Sequence, residues 1–179
     1  MQQIVDLQND SAFQALDVAL AGEYVYIADG ANGLGIVHRL PLESMTPAGW
    51  ITPTGSVSAV AVQGDYAYIV QGENGLSIVD VSDPSAPVLA GSYDTPGSAV
   101  DVAVTGFLAY VADAEYGLKV INILNPKSPY PVFSYDTPGS ASGVAVSDSG
   151  LYLADAQGGL LFFTPPPELH LFSLPLVMR

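Results

Sequence analysis

The chain has 179 residues, enough for one domain with a sizeable core and no need of disulfide or metal staples. Hydrophobic residues make up 49% and charged residues 12%, which excludes a disordered chain; 18 acidic against 4 basic side chains give a net charge of -14, which would repel nucleic acid and anionic membrane surfaces. The absence of cysteine removes disulfides, thiol nucleophiles and thiolate zinc sites, and no apolar run reaches membrane-spanning length, so neither a nucleic-acid partner nor membrane insertion is expected.

The first stretch, residues 1–14, has no basic and apolar regions of the kind that make a signal peptide. Its Ile4-Val5-Asp6-Leu7 resembles a strand motif that recurs downstream, so these residues read as a partial repeat. From there one period governs the chain. Val18, Val60, Val102 and Val144 each sit in a Val-Ala-hydrophobic triplet, and the same 42-residue step carries Tyr26 to Tyr68, Tyr110 and Tyr152, and Gly33 to Gly75, Gly117 and Gly159. Four blades are therefore expected at residues 15–57, 58–99, 100–141 and 142–179, the last with a C-terminal tail in which His170–Val177 falls in register for a fourth strand.

Inside each repeat the runs are short, rich in Val, Ile, Ala, Leu and Tyr, and broken by Gly, Asp, Asn and Pro, with no helical stripe. The second repeat predicts strands at Ala59–Gln63, Tyr66–Val70, Leu76–Val81 and Pro87–Tyr93, with a tight turn at Gly64-Asp65. Asp83-Pro84 and Asp94-Thr95-Pro96-Gly97 supply loop chemistry. Four antiparallel strands per repeat of this length make an all-β protein, a β-propeller built from four 42-residue, four-stranded antiparallel blades. Three arrangements are open: a closed four-bladed ring clasped by the N-terminal strand, a truncated piece of a larger propeller, and an open half that pairs with a second copy through unpaired edges.

The phrases Gly75-Leu76-Ser77-Ile78-Val79-Asp80-Val81-Ser82-Asp83-Pro84 and Ala109-Tyr110-Val111-Ala112-Asp113 resemble the LVIVD-repeat family. The resemblance covers residues 15 to 164, most fully in repeats two and three. It implies a propeller-type protein of bacterial or archaeal cell surfaces or secretions and carries no catalytic residues with it.

The remaining chemistry is acidic. The two histidines, His38 and His170, have no histidine at ligand spacing, and the serines lie in turns rather than at a nucleophile elbow. Asp29, Asp113 and Asp155 share a column at the end of the second strand, where blade two has Gln71; Asp17 and Asp101 share one at the start of the first strand. A hairpin places Asp17 beside Asp29 and Asp101 beside Asp113, so blades one and three would aim carboxylate pairs at one mouth of the axis. Asp17, Asp29, Asp101, Asp113 and Asp155 are accordingly the candidate ligand-binding residues, and Ca²⁺ is a candidate ion for Asp17, Asp29, Asp101 and Asp113. The structural alternative is that the column carboxylates accept backbone N–H bonds in their own turns. The tyrosine column reads as core between blades rather than a sugar-stacking platform. The expected function is a non-catalytic extracellular or cell-surface scaffold for a protein or glycan partner, without a cofactor. A hydrolase or lyase with an acidic axial site is the alternative of a different class, and a piece of a larger propeller without independent activity is another.

Overall fold

The computed structural model describes residues 14–40, 45–147 and 149–164. Within them the chain is all β apart from one 3-10 turn at Ala156–Gly158, and each sheet is an antiparallel meander. The first contains β1 (Asp17–Ala21), β2 (Tyr24–Ala28), β3 (Leu34–His38) and β4 (Thr46–Ile51). The second contains β5 (Ala59–Gln63), β6 (Tyr66–Val70), β7 (Leu76–Asp80) and β8 (Val88–Tyr93). The third contains β9 (Asp101–Thr105), β10 (Leu108–Ala112), β11 (Leu118–Asn122) and β12 (Tyr130–Tyr135); β13 (Ala141–Ser147), β14 (Gly150–Asp155) and β15 (Gly159–Phe163) form the fourth. This is a β-propeller, with four strands in each of the first three blades and three described in the fourth. The N-terminal strand and the register expected for His170–Val177 fall outside the described residues.

The second repeat follows its sequence closely, with one-residue differences that have local causes. β7 stops at Asp80 because the Asp80 carboxylate accepts the N–H of Ser82 at 3.0 Å and its hydroxyl hydrogen at 2.6 Å, turning the chain out of the ladder. β8 begins after Pro87, which has no N–H to give. Asp83 makes the same turn with Ser85. Gly75 and Gly117 open the third strands at φ of 66° and 70°, and a β-carbon at Gly75 would lie 2.4 Å from the Thr95 nitrogen and the Tyr93 oxygen, so this column accepts glycine alone.

The first strands of successive blades pack side by side, β1 on β5, β5 on β9 and β9 on β13. The sheets radiate from this line, and the fourth strands form the exposed rim. Between blades the core repeats in composition. Tyr26, Leu34 and Ile36 meet Val60, Ala67 and Ile69; Tyr68, Leu76 and Ile78 meet Val102, Ala109 and Val111; Tyr110, Leu118 and Val120 meet Leu151 and Leu153. The trailing face of each of the first three blades thus buries its tyrosine and third-strand aliphatics against the leading face of the next, each large side chain contributing about 2 kcal/mol by leaving water. Burial raises the pKa values of Tyr26, Tyr68 and Tyr110. No helix of the described residues is long and apolar enough to cross a membrane.

Candidate functional site

The acidic column at the ends of the second strands turns inward. Asp29, Asp113 and Asp155 are fully buried. Asp29 and Asp113 follow buried second strands and Asp155 ends β14, and the segment that leads from the preceding blade passes over Asp113 and Asp155. From that connection Thr95 donates its hydroxyl hydrogen to Asp113 Oδ1 at 2.7 Å, and the Gly97 N–H donates to Oδ2 at 3.0 Å. Blade four repeats the arrangement: Thr137 donates to Asp155 Oδ1 at 2.7 Å and Gly139 to Oδ2 at 2.9 Å. Asp29 is held by the Asn32 amide at 2.9 Å and by the Gln14 N–H. One residue of each connection, Val57, Ala99 or Ala141, bridges back to Gly30, Gly72 or Ala114 of the blade just left. The connection is therefore tied at both ends, and each buried carboxylate gains charge-assisted bonds that offset its desolvation.

The donors to Asp113 and Asp155 come from the connecting segment and not from the aspartate's own turn. The repeat itself held a clue. Where blade two has Gln71 instead of aspartate, its connection has Pro53 at the position of Thr95, with no hydroxyl to donate; Gln71 instead gives its own amide hydrogen to the Thr54 carbonyl. Acceptor and donor have exchanged sides together. Thr95 and Thr137 are the members of this arrangement that sequence reading passed over as turn residues.

The two first-strand aspartates behave differently. The ladder pairs Asp17 with Ala28 and Asp101 with Ala112, so each lies one residue from Asp29 or Asp113 along the ladder, as expected. Their side chains reach sideways to the neighbouring blade instead. Asp17 accepts the Val60 N–H at 2.9 Å, and Asp101 accepts the N–H groups of Val144 at 2.7 Å and Val102 at 2.8 Å. Burial holds the Asp101 carboxyl above its ordinary range against those bonds, and the charge of Asp17 pushes it further the same way. The charge of Asp17 therefore reaches Asp101, while Asp29 is held by its own turn and by Gln14, and Asp113 points into the connection. Among the described residues no group of three or more His, Asp or Glu side chains comes together to hold a metal ion.

A polar depression lies over blades two and three. A cleft of about 710 Å³ runs between their loops, rimmed by Glu73, Asp94 and Glu115 and flanked by Tyr116, which is half-exposed. Lys119 is buried beneath the loop, where its ammonium donates to the Tyr116 carbonyl and, at 2.7 Å, to the Ser134 hydroxyl; it lies 5.8 Å from the Tyr116 ring centroid. The cation thus lies within cation–π reach of the ring at the cleft. Neither residue stood out in the sequence, because both occupy positions that are not repeated in kind.

A family model for the LVIVD repeat matches residues 14–38, 54–95, 96–137 and 138–162. The chain belongs to the LVIVD repeat family. No curated protein matches it. Among solved structures, the LVIVD chain is similar to the crystal structure of the computationally designed Ika4 protein, with a TM-score of 0.69 at 10% identity over 92% of this chain and 98% of that one. It is also similar to the computationally designed Ika8 protein, with a TM-score of 0.63 at 9% identity over 84% of this chain and 45% of that one, so it spans about half the length of Ika8. These likenesses concern the fold.

Proposed function

We propose that this LVIVD protein is a non-catalytic scaffold, secreted or held at the cell surface, whose loop face binds a protein or glycan partner. The observation that carries the reading is the division of its acidic groups. The column carboxylates Asp29, Asp113 and Asp155 are spent inside the fold, whereas Glu73, Asp94 and Glu115 rim an open cleft beside an exposed tyrosine ring. A flat aromatic face with acceptors around it suits the alternating C–H and O–H surface of a sugar, and the excess of negative charge suits a cationic protein segment. Arrays of oligosaccharides and of lysine-rich peptides, probed with the intact chain, test the reading. A hit weakened about tenfold by Tyr116→Ala, the size of one good aromatic contact, would support it; no hit on either array would overturn it. Detection of the protein in the surface or culture fraction of its native cells tests the location.

A hydrolase or lyase at the axis is the second reading, favoured by the nearness of the Asp17 charge to the Asp101 carboxyl, whose pKa burial raises. Turnover lost in Asp17→Asn with an unchanged circular dichroism spectrum would establish it in place of the first.

A further inference from the structure

Three interfaces between blades follow one rule: tyrosine and third-strand aliphatics on the trailing face, first-strand valine on the leading face. Among the described residues, the two ends of the array carry the same halves with no further blade packed against them. On blade one Val18 is 57% exposed, where its counterparts Val60 and Val102 are 5% and 6% exposed, and Leu16 and Leu20 on the same side of β1 are exposed with it. On blade four Tyr152 is 36% exposed, where Tyr26 is 4% exposed, and Leu160 and Phe162, the counterparts of Leu34 and Ile36, are exposed too. Farther out on blade one, Ile27 and Val37 are buried, so its open part is the strip along the first strand. That strip is what the internal interfaces use most, since neighbouring blades meet chiefly through first strands, and among the described residues β13 makes no such packing with β1.

We infer that the open faces are completed by a second copy of this chain. The trailing face of blade four in one copy seats the first-strand strip of blade one in the other, and a two-fold axis makes the reciprocal contact, so both interfaces close and the assembly stops at two chains. The surface is self-complementary because it continues an interface the chain already makes three times. The apolar side chains at stake, three on each face, form a contiguous patch of the type that marks association. This association goes beyond the proposed binding function and does not depend on it, because the faces lie away from the loop cleft.

Sedimentation equilibrium of the intact chain is expected to give twice the 18.6 kDa chain mass. Val18→Asp and Phe162→Asp, which each put a charge into one face, should separately yield a folded monomer, with association weakened roughly 100-fold or more. Mixing them should restore a two-chain species, because the sound trailing face of the first variant meets the sound leading face of the second. This mixing also distinguishes a lost interface from a failure to fold. Val18→Cys and Tyr152→Cys in one chain, treated with a short bismaleimide, should produce linked pairs of chains; the native sequence has no cysteine to interfere. A wild-type monomer, a cross-link formed within one chain, a mass that grows without limit with concentration, or variants that remain dimeric would each overturn the inference.

Discussion

Thr95, just past the last strand of one blade, gives its hydroxyl hydrogen to the buried carboxylate of Asp113 in the next at 2.7 Å. Truncating Asp113 to alanine leaves that hydroxyl and the Gly97 N–H without their acceptor, at a cost of about 3 kcal/mol, or about 10 °C in midpoint for a chain of this size. Asp113→Asn should cost less, since the amide oxygen retains one donor and the threonine can turn to accept. Thermal melts of both variants against wild type check the order.

Blade two provides the reverse experiment. Gln71→Asp alone removes the donor to the Thr54 carbonyl and places a carboxylate where Pro53 offers no hydroxyl, so it should destabilise by about 2 kcal/mol or more. Adding Pro53→Thr and Thr54→Pro rebuilds the Thr-Pro-Gly connection of blades three and four and should recover most of the loss. A double-mutant cycle that shows no coupling between the two sites would contradict the exchange.

Ala114 has φ of 44°, in a column where Gly30 and Gly72 take 54° and 56°. The β-carbon strains the backbone there, and Ala114→Gly should stabilise the fold by about 0.5 to 1 kcal/mol after the larger entropy of glycine in the unfolded chain is counted. Denaturant midpoints with an unchanged slope measure it.

Asp101 sets a pH dependence with an unusual sign for a carboxylate. Burial raises its pKa in the fold, with Asp17 adding to the rise, so the folded chain holds protons that the unfolded chain has already lost. Its contribution to stability is whole below the unfolded value and fades as the pH climbs through the raised one. The surface pair Asp80 and Asp83, lowered by the hydroxyls of Ser82 and Ser85, works the other way but is open to solvent. Asp17→Asn keeps an acceptor for Val60 while removing the like charge. It should therefore flatten part of the decline in melting temperature as the pH rises above the ordinary carboxylate range, the share due to burial remaining.

Calcium requires six to eight oxygens. At the axis Asp17 and Asp101 already accept three backbone N–H bonds, and Asp29 and Asp113 are held by donors of their own. Calorimetric titration with calcium in the millimolar range is expected to give no saturable heat; binding that disappears in Asp17→Asn would instead make the axis a cation site.

The blades were legible because glycine, tyrosine and valine recur at one step, and strand boundaries missed only where a side-chain turn at Asp80 or the missing N–H of Pro87 decided them. The acidic column was equally visible, but its direction was not. Whether Asp113 faces the axis or the connection depends on Thr95, eighteen positions away in sequence and adjacent only once two blades are stacked. Tyr116 and Lys119 escaped for a related reason: a feature present in one repeat alone has no period to announce it.

Each described fourth strand carries a register-shifting bulge opposite the same point of its neighbour, between Ile36 and Val37, Ile78 and Val79, and Val120 and Ile121. Two of the three carry proline within the strand, Pro47 and Pro131, and the other starts directly after Pro87. The rim thus presents no straight run of free amides on which another chain could grow as a cross-β fibre. Crowded solutions of a protein that is nearly half apolar by composition are thereby steered away from fibril growth, leaving contact between whole blade faces as the cheaper way for these chains to meet.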